Sequence, residues 1–166
     1  MNDLQRLTTE YVEAEDRIRI SGELASGETV LMWVSQRLLM RLLPHLFLWL
    51  EKQSNNNIPM EIEQSFAQEA AKAGLTPEEP VHRLAKSREW LVAAIDLTPN
   101  ANVLAMCFRS EIGQRETMAL QAMALRQWLE IIHSLWCKAE WPRDVWPEWI
   151  TSRLPRTERE HVSRLH

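Results

Sequence analysis

Three histidines in this 166-residue chain each follow a glutamate by three positions: Glu79 and His82, Glu130 and His133, Glu158 and His161. On a helix that spacing sets a carboxylate and an imidazole on one face, and di-iron bundles build their cages from two such pairs with two further glutamates. The setting argues against a cage here. Pro80 interrupts the first pair, the third lies in a polar C-terminal stretch, and a strand-rich pattern leaves no four-helix bundle to hold them. No metal and no cofactor is therefore expected.

His133 and Cys137 form a second constellation, four residues apart and able to meet on one helix face. A thiol beside an imidazole can act as a nucleophile when it sits in an electropositive, partly exposed pocket. The plainer expectation is that Cys137 packs at the edge of an apolar face while His133 points to water. The chain has no GxSxG elbow, Walker loop, GxGxxG turn or HExxH pair, and its four glycines are scattered. Backbone cradles for phosphate or nucleotide are not expected, and no catalytic residue is nominated.

Composition narrows the remaining classes. With 45% hydrophobic and 25% charged residues the chain should fold, and a net charge of -4 argues against a broadly basic surface for nucleic acid or anionic lipid. The longest apolar stretch, Leu38–Leu50, is interrupted by Arg41, Pro44 and His45 and is shorter than the roughly 20 residues that span a bilayer. Two cysteines, neither in a CxxC pair, fit a reducing cytoplasm better than an oxidising compartment.

The elements that must position these residues can be read from periodicity. Leu4 to Ser35 reads as three antiparallel strands. Ile18, Ile20 and Gly22 alternate with Arg17, Arg19 and Ser21, and Gly27 supplies a turn before Thr29–Val34. Ser35 is a helix N-cap, and 36–52 is a heavily apolar helix with Leu39, Leu43, Leu46 and Leu50 at its centre. Arg37, Arg41, His45 and Lys52 form its narrow polar stripe, while Met40, Phe47, Leu38 and Trp49 on its flanks also need cover. A polar linker at 54–57 leads to a weaker helix over 61–73, whose thin apolar stripe is Ile62, Phe66, Ala70 and Ala73 and which should pack on the surface.

The second half repeats the order: strands at 90–97, 103–108 and 114–120, then a helix over 122–139 with Leu125, Trp128, Leu129, Ile132, Leu135 and Trp136 on one face. Leu38, Leu42, Leu48 and Trp49 superpose on Leu125, Leu129, Leu135 and Trp136, a match that two amphipathic helices also make by chance. The fold class is thus α+β, two antiparallel three-strand meanders each followed by an amphipathic helix (βββ-α-α-βββ-α). It forms a single domain over 1–152 with a polar, flexible tail at 153–166.

Of the eight tryptophans, Trp141, Trp146 and Trp149 follow the last strong helix among prolines and charges, where they either cap the core or present a surface to a partner. The strongest unexplained feature is surplus apolar helix surface. The expected function is a non-catalytic interaction or assembly module, a cytoplasmic homodimer, with Met40, Phe47, Leu48, Trp146 and Trp149 as interface candidates. A small enzyme with an unmotifed pocket, or a nucleic-acid-binding accessory protein, is the alternative.

Overall fold

The computed structural model describes residues 3–53 and 57–151. Most of the expected linker and the whole of the expected tail lie outside them. Strand β1 (Leu4–Val12) passes through a short 3-10 turn at Glu13–Glu15 into β2 (Arg17–Leu24), with Tyr11 opposite Ile18. The corner is turned by Asp16 at φ 48°, a left-handed conformation that aspartate tolerates better than most side chains. Gly27, at φ 88°, makes the next turn, and β3 (Thr29–Val34) then pairs antiparallel with β2.

The second meander differs from the expected one. The run read as one strand over 90–97 is two: β4 (Arg88–Leu91), parallel to β3, and β5 (Ala94–Pro99), antiparallel to β6 (Val103–Arg109). The Val92 amide donates to the Trp33 carbonyl at 2.8 Å and the next amide, of Ala93, donates to the Arg109 carbonyl at 2.7 Å. The chain therefore changes sheet between adjacent residues. A parallel partner for β3 needs a long crossover, which the two intervening helices provide, and alternation of side chains carries no record of which strand is the partner. Strand β7 (Arg115–Gln121) completes the second sheet. The fold is α+β, with a mixed four-stranded sheet β1-β2-β3-β4 and an antiparallel three-stranded sheet β5-β6-β7. The sheets meet again where Asp3 bridges Thr117. Arg88 also donates to the buried Glu116 carboxylate at 2.7 Å, joining β4 to β7. Burial pushes the Glu116 carboxyl above its usual range, and Arg88 opposes that shift.

Helix α1 (Gln36–Glu51) starts at Ser35, whose hydroxyl accepts from the Leu38 amide at 3.2 Å. Leu39, Leu43, Leu46 and Leu50 are fully buried, each contributing roughly 1.5–3 kcal/mol by leaving water. Helix α3 (Ala122–Lys138) buries Leu125, Trp128, Leu129, Ile132 and Trp136 in the same core. Beyond it, a loop and the short helix α4 (Glu148–Thr151) fold back over α1. Trp146 and Trp149 lie at 5.5 and 5.8 Å from Phe47, ring centre to ring centre. The Trp141 indole reaches across to donate to Asp16 at 2.8 Å.

Helix α2 (Met60–Ala73) is turned the opposite way from the expected packing. Its buried residues are Gln64, Gln68 and Ala71, whereas Ile62 is 48% exposed and Phe66 71% exposed.

Candidate functional site

The inversion of α2 has a local cause on α3. Arg126 and Glu130, one turn apart on α3, are buried beside its apolar face, and a buried guanidinium must be given acceptors or it is strongly destabilising. Gln64 and Gln68, also one turn apart, supply them. Arg126 Nη2 donates to Gln64 Oε1 at 2.5 Å, and Arg126 Nη1 donates to Gln68 Oε1 at 3.4 Å. Gln68 Nε2 in turn donates to the Arg126 carbonyl at 2.9 Å and to Glu130 Oε1 at 3.1 Å. Gln64 Nε2 donates to the Leu50 carbonyl at 3.3 Å, tying α2 to the end of α1. The guanidinium carbon of Arg126 also stands 5.6 Å over the Trp149 ring. Burial pulls the Arg126 guanidinium down to about 10, and Glu63 opposes the shift.

A polar ladder thus seats α2, and the stripe of Ile62, Phe66, Ala70 and Ala73 is left facing solvent. The stripe has the expected residues but faces away from the core. The signal for this orientation is the matched i, i+4 spacing of Gln64 with Gln68 and of Arg126 with Glu130.

The five interface candidates separate cleanly. Phe47, Trp146 and Trp149 are buried against one another. Met40 (39% exposed) and Leu48 (49% exposed) stand on the exposed face of α1, among Arg37, Arg41 and His45.

A second feature continues along the same face of α3 toward its C-terminal end, a cleft of about 880 Å³ walled by α2, α3 and the loop before α4, with Glu130 shared between it and the ladder. Cys137 and His133 both line it, with Sγ and Nε2 3.7 Å apart. His133 was expected in water. It is buried instead, because the Trp146 ring packs edge-on against it at 4.8 Å. Lys72, Arg143, Glu130 and Asp144 contribute two positive and two negative side chains to the walls. The cleft can admit a small molecule to a thiol and an imidazole, but its walls carry no net charge to recognise an ionic one.

No known family, curated protein or solved structure matches this chain.

The first of the Glu-x-x-His pairs is not on a helix. Glu79 and His82 fall in the non-helical loop between α2 and β4, where the Glu79 carbonyl accepts from Arg6 Nη1 at 2.6 Å. Glu158 and His161 lie outside the described residues. Among the described residues no three histidine, cysteine or acidic side chains converge as a metal cage would require. No helix in them is long and apolar enough to cross a membrane.

Proposed function

We propose that this chain is a non-catalytic protein-interaction or assembly module that docks through the outer face of α2. The observation that carries this reading is the exposure of Phe66 and Ile62 on a helix whose glutamines are buried. Large apolar side chains in a row on a helix surface are a binding feature when a partner covers them and a liability when nothing does. Helix-in-groove recognition uses anchors three and four residues apart, the steps that separate Ile62, Phe66, Ala70 and Ala73. The same reading makes the protein a homodimer, with Met40 and Leu48 on α1 as part of its contact. The free thiols Cys107 and Cys137 suit a reducing cytoplasm.

Photo-crosslinking in the cells that make the protein tests this. A benzophenone amino acid at position 66 is expected to give a discrete, heavier adduct. The same group at Ile112, 85% exposed in the β6–β7 turn, should give none. Equal labelling at 66 and 112 would refute a docking role for α2.

A further inference from the structure

We infer that the partner is a second copy of this chain, seated so that the basic stripe of α1 in one copy lies along the acidic-flanked apolar stripe of α2 in the other, and reciprocally. The inference rests on the reading of α2 as a docking face and names what docks there.

Charge and shape both lead to it. The exposed stripe of α1 and its C-cap carries Arg37, Arg41, His45 and Lys52, with Leu48 among them and Met40 at one edge. The single carboxylate of the helix, Glu51, is half-buried and accepts from the Trp149 indole. Helix α2 carries three glutamates, Glu61, Glu63 and Glu69, against one lysine, Lys72, and its exposed stripe runs Ile62, Phe66, Ala70, Ala73. On a helical projection Glu63 borders that stripe on one side and Glu69, with Glu61 beyond it, on the other. One surface is apolar with cations, the other apolar with anions, and each extends over about three helical turns. Neither surface complements itself. Each complements the other, and both are borne by successive helices of one molecule. A two-fold axis satisfies both contacts at once when the two strips face the same side of the molecule, as the proposed dimer requires. Strips facing apart would instead build open head-to-tail chains, so species heavier than a dimer would overturn the pairing. The two copies then bury two equivalent contacts in a closed dimer. Leu48 and Met40 would meet the small Ala70 and Ala73 and the ring of Phe66, with the arginines reaching the glutamates at the rim.

The test is a charge exchange, read by size exclusion with light scattering and by native mass spectrometry. Wild-type protein is expected at twice 19.5 kDa, with a dissociation constant that rises about tenfold or more on going from low to high salt, as rim ion pairs are screened. Arg37→Glu/Arg41→Glu and Glu61→Lys/Glu69→Lys each replace only side chains outside the core, and each alone should be monomeric with a wild-type circular dichroism spectrum. An equimolar mixture of the two should return to the doubled mass as a mixed dimer, because reversed α1 then faces reversed α2 while the native pair faces itself. A mixture that stays monomeric, variants that remain dimeric, or a wild-type dimer indifferent to salt would overturn the pairing. A wild-type protein that stays monomeric at high micromolar concentration would overturn it as well. If position 66 still yields an adduct of another mass in that case, the docking face stands and only the identity of the partner falls.

Discussion

Replacing Gln64 by methionine removes the 2.5 Å acceptor of Arg126 while keeping the length and volume of the side chain. The magnitude follows from the state of the guanidinium. At about 1.4 kcal/mol per pH unit, its fall to about 10 corresponds to roughly 3 kcal/mol by which the site already disfavours the charge. A hydrogen bond to a charged group contributes about 1.5–3 kcal/mol, and the cation left behind keeps only the longer bond to Gln68, the Trp149 ring and the more distant Glu63. Gln64→Met should therefore cost about 2–3 kcal/mol. Arg126→Met strands two glutamine oxygens but also abolishes the buried charge, so its net cost should be about 1 kcal/mol. The double variant removes donor and principal acceptor together and should return to within about 1 kcal/mol of wild type, a coupling of roughly 2 kcal/mol. Urea unfolding of the four proteins at neutral pH measures this cycle, and about 2 kcal/mol corresponds to about 4–8 °C in melting temperature for a domain of this size. Additive single costs, or a Gln64→Met variant within about 0.5 kcal/mol of wild type, would refute the polar seating of α2 and with it the outward stripe.

Three further outcomes follow from the same packing. Phe66→Ser should change stability by less than about 0.5 kcal/mol, because the ring is mostly in water already, and chemical denaturation of dilute protein checks it. Trp149→Ala should cost about 3–5 kcal/mol, since it opens a cavity beside Phe47 and takes the ring from beneath Arg126; the same assay reads it. The Asp16 carboxylate is held below its usual range by hydrogen bonds from Trp141 and Tyr11. A lowered folded-state value means stability present above the ordinary aspartate range and lost as pH falls through the lowered one. Asp16→Asn keeps the left-handed corner and should flatten the acid limb of the stability–pH profile, and an unchanged limb would remove Asp16 from the account.

The elements whose patterns are governed by a single buried face were legible in the sequence. The first hairpins, the cap at Ser35, the burial of Leu39, Leu43, Leu46 and Leu50, and the extent of α3 all follow from period and local turn chemistry. Two things were not legible, for physical reasons. Strand β4 buries only Trp90 among its four residues, so nothing local distinguishes a parallel partner of β3 from the start of the next hairpin. Helix α2 was read by hydrophobicity, whereas its orientation is set by hydrogen bonds to a cation on α3, some sixty residues away along the chain. Hydropathy ranks each side chain against water, and here the competition was between glutamine and phenylalanine for a wall already occupied by arginine. His133 fell to the same error: its burial comes from Trp146, which a helical wheel does not contain.

The cover over α1 arrives late. Phe47 is sealed by Trp146 and Trp149, and the first corner at Asp16 is tied down by Trp141, so residues near the beginning of the chain wait for residues about a hundred positions later. During synthesis the leucine-rich helix leaves the ribosome well before its lid exists. Contacts so distant in sequence slow folding and prolong the exposure of apolar surface. A nascent chain stalled before Trp141 would leave Phe47 without the two rings that cover it and the Asp16 corner without its indole donor, so the final tryptophans are the step that closes the first half of the chain.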